Sequence, residues 1–341
     1  MRKSGDMNSK ELVLNAVAHK EPKVIPYTLY LSKYIYAKLE NLWGLRTNWP
    51  CPQDDTIRIL WDVECSDVSS EGFKDMFGCE WKREHGGCTF VNPPFSEPDV
   101  AKTPKLSLLP DSDIELIKQT RSLYPDKFIF YQFTMTFGER LWALRGMQQA
   151  MMDYVLEPEF VHKELDILME MHLIAIDRLL SLPIDGITIG DDFGSQKGLM
   201  MSRQVFLEFF KPRYQIMYEK IRRAGLIVGH HSCGDNSELM KDFIDIGVDI
   251  FHPLQPEAMD IKRIKKEYGK YLTFRGGIGT QGVIISGTPQ QACNEIREAV
   301  RILSKGGGYL LETAKPLPEE TPMENVIAII EEITRVRNYE F

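Results

Sequence analysis

The chain has 341 residues, of which 43% are hydrophobic, and its formal net charge is −8. A chain of this length and composition can bury a large core, as one barrel or as two medium domains. The negative charge, with no lysine and arginine cluster interleaved with aromatic residues, excludes nucleic acid as an expected partner.

The chain also lacks the usual signals for a membrane or an oxidising compartment. The longest apolar runs are far shorter than the ~20 residues that a helix needs to cross a bilayer. The polar residues 1–6 lead into no hydrophobic signal core, and the six cysteines include no CxxC pair. These features predict a cytoplasmic protein with reduced thiols.

Short apolar segments alternate with long amphipathic ones along the chain, which is typical of parallel β/α units. The predicted strands are residues 24–28, 128–132, 186–189, 226–228, 249–252, 272–274 and 309–311. The predicted helices include residues 158–182, 203–223, 237–246 and 289–304. Seven strands plus one without an assigned position predict an α/β fold, a (β/α)8 TIM barrel that occupies residues 1–341 as a single domain. An open doubly wound sheet is the alternative, but no glycine-rich phosphate-binding turn follows any strand.

Residues 44–110 are rich in proline, glycine, tryptophan and cysteine. We expect them to be a long insertion after the first strand, with a hairpin around residues 77–82. An insertion at this position can form part of the pocket mouth or be purely structural.

The chemistry of a β/α barrel lies at the carboxyl ends of its strands. Polar side chains follow several predicted strands there. They are Thr134, Glu139, Asp191, Asp192, Gln196, His231, Cys233, Asp235, Gln255, Arg275, Gln281, Glu312 and Lys315.

His231 and Cys233 are the most informative of these residues. They lie two positions apart at the end of the strand predicted at 226–228, so their side chains point to the same face. An imidazole and a thiol placed side by side can supply two of the three protein ligands of a catalytic zinc. A buried histidine beside an inert thiol is the alternative interpretation.

Three further segments complete a family resemblance. They are the Gly190-Asp191-Asp192-Phe193-Gly194-Ser195-Gln196 run, the Phe137-Gly138-Glu139-Arg140-Leu141-Trp142 run and the Thr321-Pro322-Met323-Glu324-Asn325 run. Together with His231-Ser232-Cys233-Gly234, they resemble the uroporphyrinogen decarboxylase superfamily, in particular its branch of corrinoid-dependent methyltransferases. The resemblance covers roughly residues 125–335.

The chain departs from this family at two places. The arginine pair with which uroporphyrinogen decarboxylases hold their polyacidic substrate is missing, since residues 27–33 read Tyr-Thr-Leu-Tyr-Leu-Ser-Lys. Members of the branch that methylate coenzyme M have a third zinc ligand, a cysteine, at the position of Lys315. The zinc site is therefore either absent or completed by another residue, with Glu312 as the first choice and Asp192 as the second.

The resemblance implies zinc as a cofactor and a cobalt corrinoid carried by a partner protein. It implies that a methyl group moves between this corrinoid and a small molecule. A carboxylate ligand in place of a cysteine favours an oxygen substrate, such as a methoxylated aromatic compound. We assign His231, Cys233 and Glu312 to the metal and give catalytic roles to Asp192 and Lys315. The predicted substrate-binding residues are Glu139, Asp191, Gln196 and Arg275.

Other functions remain open at the level of the sequence. One is a methylcobalamin:thiol methyltransferase, another is a decarboxylase or lyase that acts on a smaller acid, and a third is a non-catalytic binding barrel. The sequence also leaves open whether the chain forms a homodimer.

Overall fold

A computed structural model of the protein describes residues 7–43, 54–61, 65–66, 71–84 and 87–338. Within these ranges, no helix is both long and apolar enough to cross a bilayer.

The described residues form thirteen β-strands, and seven of them make up one parallel sheet. In chain order the strands are β1 (Thr56–Leu60), β2 (Cys65–Ser66), β3 (Gly72–Asp75), β4 (Glu80–Glu84), β5 (Gly87–Asn92), β6 (Phe128–Phe133), β7 (Gly186–Gly190), β8 (Gly194–Ser195), β9 (Gly198–Leu199), β10 (Ile227–His231), β11 (Ile250–Leu254), β12 (Thr273–Ile278) and β13 (Tyr309–Thr313). The parallel sheet has the order β1-β6-β7-β10-β11-β12-β13, and β2 to β5 form a separate antiparallel sheet. β6, β7 and β13 are buried along their whole length, as expected of strands covered on both faces.

The segment around Tyr27 closes the curled sheet. Tyr27 forms a parallel bridge with Leu311 of β13, and its carbonyl accepts a hydrogen bond of 2.9 Å from the backbone N–H of Asp55, next to β1. The segment predicted as strand 24–28 therefore lies between the two edges of the sheet. The prediction of a (β/α)8 TIM-barrel-like fold is confirmed.

The range predicted for the insertion was too wide. β1 lies inside residues 44–110 and is a barrel strand, so the antiparallel sheet follows it. The hairpin expected around residues 77–82 exists and joins β3 to β4. Residues 44–53 of the predicted insertion lie outside the described part of the chain.

Most of the helices lie between strands along the chain. The helices are α1 (Ser9–Val17), α2 (Lys33–Trp43), α3 (Asp111–Leu123), α4 (Gly138–Arg145), α5 (Met147–Leu156), α6 (Pro158–Leu179), α7 (Arg203–Val205), α8 (Lys211–Arg223), α9 (Met240–Asp245), α10 (Ile261–Tyr268), α11 (Val283–Ser286), α12 (Pro289–Leu303) and α13 (Met323–Val336). The first two, α1 and α2, precede β1, and α13 follows β13. A π-helical segment, Phe206–Phe210, makes α7 and α8 continuous, which explains the single helix predicted at 203–223.

Local sequence explains where these helices begin. At α12, the Thr288 hydroxyl accepts the N–H of Gln291, the Gln291 side chain accepts the N–H of Thr288, and Pro289 occupies the first turn. This capping box satisfies N–H groups that no helical carbonyl can reach. Proline also starts α6 at Pro158, as the sequence predicts.

Candidate metal centre

His231 and Cys233 lie side by side where β10 ends. The Nε2 atom of His231 is 3.5 Å from the Sγ atom of Cys233. His231 is the last residue of β10, and Cys233 is half-buried two positions later. The structure thus brings together the pair that strand alternation predicts.

Asp192 completes a group of three donors. Its Oδ1 atom is 3.7 Å from His231 Nε2, and the same oxygen accepts a 2.7 Å hydrogen bond from the N–H of Cys233. One ligand atom from each of the three residues lies within 4.8 Å of the others. Donors bound to one tetrahedral zinc at ~2.0–2.3 Å stand roughly 3.3–3.8 Å apart, so the distances from His231 to Cys233 and to Asp192 fit this ion.

Two glycines allow the loops that carry these donors to meet. Gly234 has a φ of +78°, and a Cβ atom on it would lie 2.3 Å from the carbonyl carbon of Gly194. A Cβ on Gly194 would meet the backbone of residues 233–235 at 2.7 Å. Both positions need glycine because backbone packs directly on backbone there. This packing places the loop of Asp192 against the loop of Cys233.

His252 contacts the other side of the His231 ring. The Nδ1 atoms of the two imidazoles are 2.7 Å apart, a hydrogen-bond distance. The two residues are paired in register on β10 and β11. The contact leaves His231 Nε2 directed at Cys233 and Asp192. A metal-bound histidine usually makes such a bond through its second nitrogen, which fixes the orientation of the ring.

Burial controls the protonation of the cluster. It raises the pKa of the Cys233 thiol to about 12, with help from the negative charge of Asp192. Burial also lowers the pKa of His231; the charge of Asp192 opposes this effect, and the charges of Arg58, Lys315 and Arg275 add to it. The imidazole is therefore neutral, as a metal ligand must be, while the thiol needs a cation to become a thiolate.

Asp191 binds the backbone at the start of α4. It is fully buried, and its carboxylate accepts the N–H groups of Phe137, Gly138 and Glu139 at 2.7–2.8 Å. The Tyr214 hydroxyl donates a further bond of 2.7 Å. These bonds hold the first turn of α4, where a carboxylate compensates unpaired N–H groups. Because the carboxylate is engaged in these bonds, the structure does not support the predicted role of Asp191 in substrate binding.

Glu312 is not among the donors that meet His231 and Cys233. Its side chain is 1% exposed and lies between two guanidinium groups, those of Arg58 at 3.3 Å and of Arg275. Both carboxylate oxygens are therefore occupied by ion pairs. The structure therefore does not support the predicted assignment of Glu312 to the metal, and Asp192, the second choice, lies beside His231 and Cys233 instead. Arg275, predicted to bind substrate, is buried in this same ion-pair group.

The remaining predicted residues differ in their surroundings. Lys315 is exposed, and its charge lowers the pKa of both His231 and Cys233, which places it within electrostatic range of the donors. Gln196 is exposed at the turn between β8 and β9.

Glu139 is half-buried, and its Oε2 accepts the N–H of Asp192 at 3.3 Å. Burial, Asp192 and Asp191 all raise the pKa of Glu139.

A cavity of about 490 Å³ lies beside this centre, between the barrel and the antiparallel sheet. Its lining consists of Trp61, Phe73, Asp75, Trp81, Cys88, Phe90, Thr134, Met135, Glu139 and Trp142. Glu139 therefore belongs both to the cavity wall and to the surroundings of Asp192. Met135 has a φ of +53°, an uncommon conformation for a residue with a side chain, and such strain is often found at functional sites.

Sequence reasoning missed His252, Arg58 and Trp81. His252 could have been found, because it is the last residue of the strand predicted at 249–252. Arg58 lies in a strand that was not predicted. The position of Trp81 over the barrel depends on how the antiparallel sheet packs, and the local sequence carries no signal for it.

Comparison with solved structures supports the fold. A methyltransferase from Methanosarcina mazei aligns with a TM-score of 0.71 at 17% identity. The alignment covers 97% of this chain and 99% of the methyltransferase chain. A B12-independent methionine synthase from a Shewanella species has a TM-score of 0.37 at 10% identity, with 66% of this chain and 65% of that chain covered. The second similarity is too low to support an argument.

Sequence comparison gives the family. No curated protein matches the chain. The uroporphyrinogen decarboxylase (URO-D) family model matches residues 74–336, which is more than half of the sequence. This match includes the segments that hold Asp192, His231 and Cys233. The chain thus belongs to the uroporphyrinogen decarboxylase superfamily of enzymes.

Proposed function

We propose that the protein is a zinc-dependent methyltransferase. It moves a methyl group between an oxygen atom of a small molecule and a cobalt corrinoid carried by a partner protein. The observation that carries this proposal is the group of three donors, Asp192, His231 and Cys233, at the carboxyl end of the barrel strands. The methyltransferase with the same fold supports it as an analogy.

The composition of the donor group favours an oxygen substrate. One carboxylate, one imidazole and one thiolate would hold zinc with no net charge and leave a fourth position open. Zinc bound there would act as a Lewis acid on the substrate oxygen and stabilise the negative charge left on it. Because one ligand is a hard carboxylate, the site prefers oxygen to sulfur.

The other residues orient and balance this group. His252 holds the His231 ring through the 2.7 Å contact between the two Nδ1 atoms. Lys315 supplies a positive charge near the donors, which suits an oxygen that gains negative charge. These residues would support a transfer in which the carbon–oxygen bond breaks, its electron pair stays on the oxygen, and the electron pair of cobalt(I) in the corrinoid forms the new bond to the methyl group.

The decisive experiment combines metal analysis with an activity assay. Purified protein should contain about one zinc per chain and should demethylate 2-methoxyphenol when free cob(I)alamin is the acceptor. Cys233→Ala should lose both properties. Cys293→Ala removes a half-buried thiol on α12, whose Sγ contacts the carbonyl of Ala328, and should keep both.

Two results would contradict the proposal. Stoichiometric zinc in Cys233→Ala would show that the metal binds elsewhere. Carbon dioxide released from uroporphyrinogen, without any methyl transfer, would place the protein with the decarboxylases of its superfamily.

A further inference from the structure

The cavity beside the metal centre has two walls of different origin. Trp61, Thr134, Met135, Glu139 and Trp142 come from the barrel side. Phe73, Trp81, Cys88 and Phe90 come from the antiparallel sheet. The volume of about 490 Å³ lies in the range typical of small-molecule sites. Since the sheet forms half of the wall, it has a direct part in what the cavity can hold.

Three aromatic side chains form a row across this sheet. Phe73 pairs with Trp81, and Trp81 pairs with Phe90, on three successive strands. Residues paired in this way share one face of a sheet. The Phe73 and Trp81 rings are nearly parallel, at 14° with centroids 6.0 Å apart, and Phe90 meets Trp81 edge-on at 6.2 Å. The row offers a broad apolar surface with Trp81 at its centre.

A buried ion pair fixes this row to the barrel. Arg140 of α4 donates to Asp75 of β3 at 2.6 Å, and both side chains are 1% exposed. The Trp81 indole N–H donates to the same carboxylate at 3.0 Å. Arg140 directly follows Glu139, so a single turn of α4 holds the sheet and contributes to the cavity wall. Trp81 is therefore held in a defined position at the barrel mouth.

The charges in the wall favour a neutral ring over a methylated ammonium ion. Aromatic walls also bind quaternary ammonium groups when a carboxylate is free nearby. Asp75 is not free, because Arg140 and Trp81 occupy one of its oxygens and the N–H groups of Phe77 and Cys79 occupy the other. The remaining carboxyl in the wall, Glu139, uses one of its oxygens, Oε2, to accept the N–H of Asp192 at 3.3 Å.

We propose that this cavity binds an aromatic ring of the methyl donor, packed against Trp81, so that the antiparallel sheet determines substrate specificity. The inference rests on the proposed function and names the substrate class. Aromatic packing contributes about 0.5–1.5 kcal/mol beyond simple burial, so a single ring of the row is worth up to about tenfold in affinity.

The test measures binding of 2-methoxyphenol by calorimetry, with choline as the competing class of ligand. Trp81→Leu and Phe90→Leu should each weaken 2-methoxyphenol binding by about three- to tenfold. Trp81→Phe keeps a ring but loses the bond to Asp75, and should bind within about twofold of the unchanged protein. Tyr271→Leu removes an exposed aromatic ring outside the cavity lining and is the matched control.

The same titration in Cys233→Ala separates this inference from the proposed function. Ring binding that persists there, in a protein without methyl transfer activity, would support the cavity even if the proposed function failed. Tighter binding of choline than of 2-methoxyphenol would overturn the inference. Unchanged 2-methoxyphenol affinity in both leucine variants would overturn it as well, whatever the transfer assay shows.

Discussion

His231 and His252 face each other across neighbouring strands, with their Nδ1 atoms 2.7 Å apart. One imidazole therefore donates to the other, and Nε2 of His231 remains available to the group formed with Asp192 and Cys233. His252 is buried, and its Nε2 atom has no hydrogen-bond partner among the described residues. Within the described part of the chain, the contact with His231 is thus the one polar interaction of the His252 ring.

The first prediction concerns this contact. His252→Ala should weaken zinc binding by about 10- to 100-fold, because the His231 ring loses the bond that orients it. Competition with a chromogenic chelator measures the affinity. His162→Ala changes a half-exposed histidine that stacks on Phe209, and should leave zinc affinity unchanged. Equal affinities in the two variants would show that His252 does not orient the ligand.

The second prediction separates Glu312 from the metal. Glu312→Gln should leave zinc affinity unchanged and lower the free energy of unfolding by about 3 kcal/mol, because Arg58 and Arg275 lose their buried counter-charge. Asp192→Asn should do the opposite and abolish stoichiometric zinc binding. Metal titration and urea unfolding of the two variants give the answer. Zinc loss in Glu312→Gln would return this residue to the ligand set.

The third prediction tests the contact between Gly194 and Gly234. Gly234→Ala should reduce both thermal stability and zinc content, since its Cβ would lie 2.3 Å from the backbone of Gly194. Gly198→Ala is the control for backbone strain alone, because Gly198 also has a positive φ but has no atom within 4 Å of an added Cβ. Differential scanning calorimetry and metal analysis should show zinc loss only in Gly234→Ala.

The fourth prediction concerns pH and stability. Burial raises the pKa of Glu164 to about 7, while Thr103 donates to its carboxyl at 2.6 Å. In the unfolded chain this carboxyl has its ordinary pKa of 4.5. Between these two values the folded state holds a proton that the unfolded state has lost, so stability falls as the pH rises through this window. The loss is about 3 kcal/mol, complete above pH ~7.

Glu164→Gln should remove this pH dependence. Urea unfolding at pH 5 and pH 8 measures it, and the variant should be more stable than the unchanged protein at pH 8. Glu170→Gln changes an exposed carboxylate on the same helix and should keep the original slope. If the free energy of unfolding of Glu164→Gln still falls between pH 5 and pH 8, another group causes the pH dependence.

Sequence patterns predicted the parts of the fold that depend on local periodicity. The apolar strands and the long helices follow from such patterns, and so does the shared direction of His231 and Cys233. The sequence did not predict β1, because Arg58 interrupts its apolar run and the surrounding stretch is rich in proline and cysteine. The Arg58 side chain pairs with Glu312, which lies 254 positions away, and no local sequence pattern predicts this pairing.

The third donor could not be assigned for a similar reason. Glu312 was chosen because of its place along the chain, three residues before Lys315. The ligand set depends instead on the distance between two loops, which packing determines. Of the two adjacent carboxylates, Asp191 faces α4 and Asp192 faces Cys233, and only the structure distinguishes them.

The back-to-back packing of Gly194 and Gly234 has a thermodynamic consequence for metal uptake. Because backbone atoms set the spacing of the two loops, the carboxylate of Asp192 and the thiol of Cys233 are close before any ion arrives. Little conformational entropy is then lost when the ion binds, since the loops need not be ordered at that moment. The three donors are therefore preorganised, and their affinity for a metal ion would depend on the framework of the barrel as much as on the donors themselves.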